Sequence, residues 1–239
     1  MTSRAPRPTK PGPRPRLNRD LIVEAAFRVC ARTGPNGLTF QAIGEELGAH
    51  PTAIYRYFAD RDALMLALLD AMHRETNAEL GDPTDDWVAD LKAIARIGRA
   101  VMLRYPQVAQ AVGARTTRQE NEFRSVERIL SCMRRAGFDD RDAARYYRAF
   151  SEAILGFATQ EATLASLDME TRAADLRAWK YDYLALPEES YPNIHAAGPM
   201  IPAVDDETNF ELALQMMIDA LIARAPKAVP GPKVAKPKR

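Results

Sequence analysis

Nearly all of the chain between Asn18 and Arg224 carries an apolar repeat of three and four. That spacing gathers apolar side chains on one face of an α-helix, and no run alternates as a half-buried strand does. The chain is therefore expected to be all-α. Asn18, Thr39, Asp60 and Asp139 are placed to cap helices, because their short side chains accept from an otherwise unpaired backbone N–H. Gly34, Gly48, Gly113 and Gly137 stand where helices end, and Pro51 and Pro106 open helices where a missing N–H costs nothing. The punctuation predicts helices over 18–34, 39–48, 51–58, 60–79, 86–104, 106–113, 118–136, 139–165, 169–185 and 207–224. Residues 186–206, proline-rich and polar, are expected to be irregular.

Composition narrows the class. With 239 residues, 46% of them hydrophobic, the chain can build a sizeable core. The net charge of +1 points to no partner, but its distribution does. Residues 1–19 and 224–239 each hold six basic residues and no acid, while 20–223 carries 32 acids. Two readings of these ends stand side by side: solubilising tails, or arms that bind an anionic polymer. Cys30 and Cys132 lie inside apolar helical patterns and read as core residues of a reducing compartment. No apolar run approaches the roughly 18 residues of a membrane span, and the N-terminus lacks the apolar core of a secretory signal. A soluble, cytoplasmic protein is expected. His73 and His195 have no partner at metal-ligand spacing, so no metal site and no cofactor are expected. An enzyme finds no support, since phosphate loop, nucleophile elbow and carboxylate pair are all missing.

Residues 39–58 have helix-turn-helix proportions: a short helix, a glycine turn, a second short helix. Pattern alone is weak here, since any two short helices around a glycine look alike. The second helix nonetheless presents His50, Thr52, Tyr55, Arg56 and Tyr57 in a stretch too short to bury them all.

The wider stretch is more specific. Arg19–Phe27 through Gly34, Gly37–Gly48, Pro51–Phe58 and Arg61–Leu66 closely resemble the DNA-binding domain of the tetracycline-repressor (TetR) family over about fifty ungapped residues. Gly44 departs from the alanine more usual there. Tyr191-Pro192 and the segment from Phe210 look like the tetracycline-repressor subclass of C-terminal domains.

The resemblance implies a three-helix DNA-binding domain over 17–62 and a helical ligand-binding and dimerisation domain over 63–225, flanked by a basic arm (1–16) and tail (226–239). It puts His50, Pro51, Thr52 and Arg56 at base edges in the major groove, with Gln41 reaching in from the preceding helix. Arginine can take guanine and glutamine adenine in bidentate fashion. Thr39, Tyr55, Tyr57 and Arg61 match phosphate-holding positions, which set register rather than sequence. Arg14, Arg16 and Arg19 lie along the minor groove or backbone in one reading and in a solubilising tail in the other. The implied partners are a palindromic double-stranded operator, an unidentified small-molecule effector and a second copy of the chain. The pocket falls among residues 63–164, with Asn77, Ile97, Val101, Met102, Arg115, Phe123, Val126, Met133, Phe150 and Ile154 as candidates. For the apolar candidates ordinary core packing is the competing reading, and for Arg115 a surface or ion-pair role. The last helix is apolar on more than one face through Leu212, Leu214, Met217, Ile218 and Leu221, which predicts a two-fold dimer built on residues 140–164 and 207–224. The rival function is a sequence-nonspecific binder that works through its basic arms.

Overall fold

The computed structural model describes residues 16–203 and 206–226. The basic ends therefore fall outside the described residues, apart from Arg16 and Pro226. Eleven α-helices follow in order: α1 (Arg19–Thr33), α2 (Phe40–Leu47), α3 (Pro51–Ile54), α4 (Arg61–Glu79), α5 (Trp87–Arg104), α6 (Pro106–Val112), α7 (Glu120–Arg135), α8 (Asp140–Ala165), α9 (Met169–Arg177), α10 (Pro192–Ala197) and α11 (Asp206–Arg224). No strand occurs among the described residues.

The caps sit where the sequence puts them. Asn18 accepts from Leu21 N, Thr39 from Ala42 N, Asp60 from Ala63 N and Asp139 from Asp142 N. Two expectations need correction. Residues 186–206 are not irregular throughout: α10 opens on Pro192, and a 3-10 turn over Gly198–Ala203 follows it. Both elements are too short to show an apolar repeat. The helix expected over 169–185 ends at Arg177 and continues as a π-helical turn, Ala178–Asp182.

Two apolar cores hold the chain together. The first joins Ile22, Ala26 and Val29 of α1, Ile43 of α2, Ile54 of α3 and Leu64, Leu68 and Met72 of α4 to Val101, Val108 and Ala158 of α5, α6 and α8. The second joins Leu91 and Ala95 of α5, Ile129 and Met133 of α7, Phe150 of α8, and Phe210, Leu214 and Ile218 of α11. The first core passes without interruption from the N-terminal helices into the body through α4. Cys30 and Cys132 are buried free thiols, one in each core, and burial raises both above the usual thiol range. No helix among the described residues is long and apolar enough to cross a membrane.

A polar ladder runs between α5 and α11. Lys92 Nζ donates to Gln215 (2.7 Å), and Arg96 grips both Glu211 oxygens at 2.7 and 2.6 Å. Arg99 reaches Glu207 (2.5 Å) and, from α8, Glu161 (2.9 and 3.0 Å). Arg99 and Glu161 are both buried, and the guanidinium also stacks on Phe210, 4.7 Å from its centroid.

Candidate nucleic-acid interface and ligand cavity

The helix-turn-helix is held before any partner arrives. Glu46 of α2 takes Arg28 (2.8 Å) and Arg32 (3.1 Å) of α1. Gly48 ends α2 in the left-handed conformation (φ 61°), where glycine carries no Cβ penalty. Gly44 has its own reason to be glycine. Its carbonyl receives Ala49 N at 2.8 Å, and a Cβ on it would stand 2.6 Å from the Ala49 carbonyl oxygen. The turn into α3 is thus tighter than an alanine there would allow.

The α-helical part of α3 is one turn, Pro51–Ile54, followed by turn residues to Tyr57. Ile54 and Phe58 face the core. His50 caps the helix: its Nδ1 accepts from Thr52 N (3.3 Å) and lies 2.8 Å from Thr52 Oγ1. That leaves the outer Nε2 to face solvent as a donor. Thr39, Gln41, Thr52, Tyr55 and Arg56 are exposed, and Pro51 is half-buried. Gln41 donates to Glu45 (3.1 Å) and Tyr55 packs edge-on against Phe40 at 4.6 Å. Arg56 has no hydrogen bond or ion pair among the described residues.

Three basic or phenolic side chains are engaged inside the domain instead. The Tyr57 hydroxyl donates to Leu17 O at 2.6 Å. Arg61 donates to Leu38 O (3.2 Å) and Pro35 O (2.5 Å). Arg19 donates to Tyr57 O (3.2 Å) and lies over the Phe58 ring at 4.4 Å. Sequence matching put Tyr57 and Arg61 on phosphates and Arg19 in the arm. In this structure Arg19 and Tyr57 brace the turn that follows α3, and Arg61 ties the start of α4 to the turn between α1 and α2, because those turns bring carbonyl oxygens within their reach.

A cavity of about 150 Å³ opens among α4, α5, α7 and α8. Of the residues singled out in the sequence, Val101, Met102, Arg115, Val126, Phe150 and Ile154 line it. Ile97 packs in the first core and Met133 in the second, so both are ordinary core. Phe123 is 56% exposed, turned off the stripe of Glu122, Ser125, Val126 and Ile129 that faces the cavity. Asn77 stands one step behind the wall, its Nδ2 donating to Asn121 O (2.9 Å) and Ser125 Oγ (3.2 Å). Arg115 lines the cavity while ion-paired to Asp62, which holds that carboxyl below the usual range.

Sequence reasoning missed His73, Glu122, Ser125 and Tyr147 on the lining. The available signal was a pair of polar i,i+4 couples, His73–Asn77 and Asn121–Ser125, on otherwise amphipathic helices. Among the described residues no cluster of three or more metal-ligating side chains occurs.

Comparison with known proteins places this architecture. Residues 22–68 match the family described as bacterial regulatory proteins, tetR family, and residues 80–225 match the tetracyclin repressor-like C-terminal domain. The chain belongs to the TetR family. It is a helix-turn-helix, DNA-binding transcriptional regulator of the ligand-responsive repressor class. Tetracycline repressor protein class C of Escherichia coli is 30% identical over 209 residues, 86% of this chain and 91% of the relative. The HTH-type transcriptional repressor DrrR1 of Streptomyces coeruleorubidus is 27% identical over 225 residues, 90% of this chain and 80% of the relative. A possible TetR family regulator from Streptomyces coelicolor A3(2) superposes with a TM-score of 0.73 at 25% identity, over 86% of this chain and 99% of that one. The fold is also that of the S. coelicolor protein ActR in complex with actinorhodin, with a TM-score of 0.77 at 23% identity, over 89% and 100%.

Proposed function

We propose that this chain acts in the cytoplasm as a homodimeric repressor whose paired α3 helices read a palindromic operator, released when a small molecule fills the cavity between α4 and α8. One observation carries the reading. Helix α4 is continuous from Arg61, which grips two carbonyls of the reading head, to Leu69, Met72, His73 and Thr76, which line the cavity. A ligand that displaces the far half of α4 tilts the head. Two heads must sit about 34–36 Å apart to enter successive major grooves, so a tilt lowers affinity. The relatives named above are repressors, and the chain acts here through binding and not through catalysis.

Arg56 is the base-reader in this proposal, because its guanidinium is exposed and uncommitted. Arg56→Ala is expected to weaken operator binding by about 1–3 kcal/mol and to relax preference at one base pair. Tyr57→Phe removes the bond to Leu17 and should weaken all sequences alike. Binding-site selection on both variants tests the division of labour, and unchanged preference in Arg56→Ala removes that residue from the base-reading set.

The dimer rests on α8 and α11. Leu214, Ile218 and Leu221 are buried within the chain and Met217 is half-buried, so these four do not need a partner. The outward face of α11 instead shows Leu212, Met216 and Ile222 at 61, 64 and 49% exposure. Beside it α8 exposes Ala149 and Gly156, small enough for a second helix to approach closely. Sedimentation at micromolar concentration is expected to give twice 26.6 kDa, and Met216→Asp to shift the population toward the single chain. A wild-type species at 26.6 kDa would sink the dimer.

A further inference from the structure

Five polar residues meet where α4 packs on α7, and their hydrogen bonds fix one another's roles. Asn121 Nδ2 donates to Asp70 Oδ2 at 2.7 Å. Asn77 Nδ2 faces two acceptors, Asn121 O and Ser125 Oγ, which settles its amide orientation. Ser125 has one proton, and it goes back along the helix to Asn121 O at 3.1 Å. Ser125 Oγ is thereby an acceptor. His73 Nδ1 lies 3.2 Å from that oxygen, so Nδ1 carries the ring proton and donates it. Burial holds the imidazole below its usual range, against the opposing pull of Glu122 and Asp70, which favours the neutral ring. What remains is a bare Nε2 lone pair, without a hydrogen-bond partner among the described residues, on a side chain that lines the cavity.

Glu122 adds a second acceptor on the same wall. Its Oε2 receives Thr117 Oγ1 (2.9 Å) and Arg118 N (2.6 Å), while Oε1 has no partner among the described residues. The rest of the lining is mainly apolar, through Leu69, Met72, Val101, Ile129 and Phe150, with the hydroxyls of Thr76, Tyr147 and Ser151 among them. The two guanidiniums on the lining are already engaged, Arg115 with Asp62 and Arg128 with Gly81 O. A cavity of about 150 Å³ lined by aliphatic and aromatic side chains takes a benzene-sized ring. Larger scaffolds require the flexible Met72 and Met102 side chains to repack.

Resting on the reading of this cavity as the effector site, we infer that the effector is an uncharged aromatic or alicyclic ring bearing a hydroxyl or N–H donor, received by His73 Nε2. Glu122 lines the same cavity, near enough for its charge to act on His73, and turns away anions there. At His73 the protein accepts and the ligand donates, so masking the donor with a methyl group removes that bond, while the Tyr147 and Ser151 hydroxyls are left to pair with each other.

The test uses the full chain and three probes of one shape: 4-ethylphenol, its methyl ether 4-ethylanisole, and 4-ethylbenzoate, titrated by calorimetry. The phenol is expected to bind about tenfold more tightly than the ether, since the ether leaves a buried acceptor unpaired. The benzoate is expected to be weakest, and the phenol-to-ether ratio to fall to near one in His73→Phe. A ratio near one in the wild type, a ratio that survives in His73→Phe, or tightest binding by the benzoate each overturns the inference while the cavity remains an effector site. Failure of all three probes overturns both. Should His73→Phe not fold, long-range ¹H–¹⁵N correlation on the wild type answers the same question: a proton on Nδ1 supports the assignment, and a proton on Nε2 overturns it.

Discussion

Replacing Arg99 by alanine is expected to lower the stability of the folded chain by about 3–5 kcal/mol. The reason is Glu161. It is buried beside Arg99 and accepts two of its hydrogen bonds, so removing the guanidinium strands a carboxylate away from water. Glu207 contributes little to the loss, because its side chain is 68% exposed and water takes over the pairing. The stacking of Arg99 on Phe210 is lost as well. In a chain of this size the expected fall in Tm is roughly 6–20 °C. The double variant Arg99→Met with Glu161→Leu removes both charges and should recover most of the loss. Thermal unfolding of the three proteins at one fixed concentration checks this. A fall of less than about 1 kcal/mol in Arg99→Ala would mean that water reaches Glu161.

Leu68→Ala is the second large effect. Leu68 sits at the middle of α4, fully buried in the core that joins the reading head to the body. Truncation costs about 2–5 kcal/mol through lost burial and the hole left behind. The functional consequence is separable from that loss. If α4 transmits the tilt, loosening its middle lets the far half move without the near half. The coupling between effector and operator, of ordinary size about 1–3 kcal/mol or 5–150-fold in affinity, should then shrink more than either separate affinity does. Operator titration with and without saturating effector measures this. Asp62→Asn offers a control on the second connection, the ion pair from α4 to Arg115 on the cavity wall. Both partners are exposed, so this pair is expected to shift the coupling by less than about 1 kcal/mol. If Asp62→Asn abolishes coupling and Leu68→Ala leaves it intact, the signal passes through the ion pair and not along the helix.

The elements that begin with a side-chain cap were readable because cap and helix are neighbours in sequence. Asn18, Thr39, Asp60 and Asp139 each bind a backbone N–H three residues ahead. The same locality explains what the sequence hides. Tyr57 finds Leu17 forty residues away and Arg61 finds Pro35 twenty-six away, so their commitment to internal carbonyls depends on how the turns fold back. His73 reads as a lone imidazole in sequence, and only the packing of α4 on α7 supplies Ser125. Apolar positions mislead differently. Met133 and Phe123 carry the same pattern as Val126, yet one is sealed in the second core and the other turned to solvent. Periodicity identifies a face without saying whether a cavity, a core or water lies against it.

The bracing of the α3 segment by Arg19 and Tyr57 has a thermodynamic meaning for recognition. A reading helix that ordered only on the duplex would pay an ordering cost of about 2–5 kcal/mol out of its contacts and show a heat-capacity change beyond that of the surfaces joined. Here the hydrogen bonds from Tyr57 to Leu17 and from Arg19 to Tyr57 hold the segment in place beforehand. Docking approaches rigid-body association, and a base pair that misplaces one donor cannot be accommodated by refolding the helix around it.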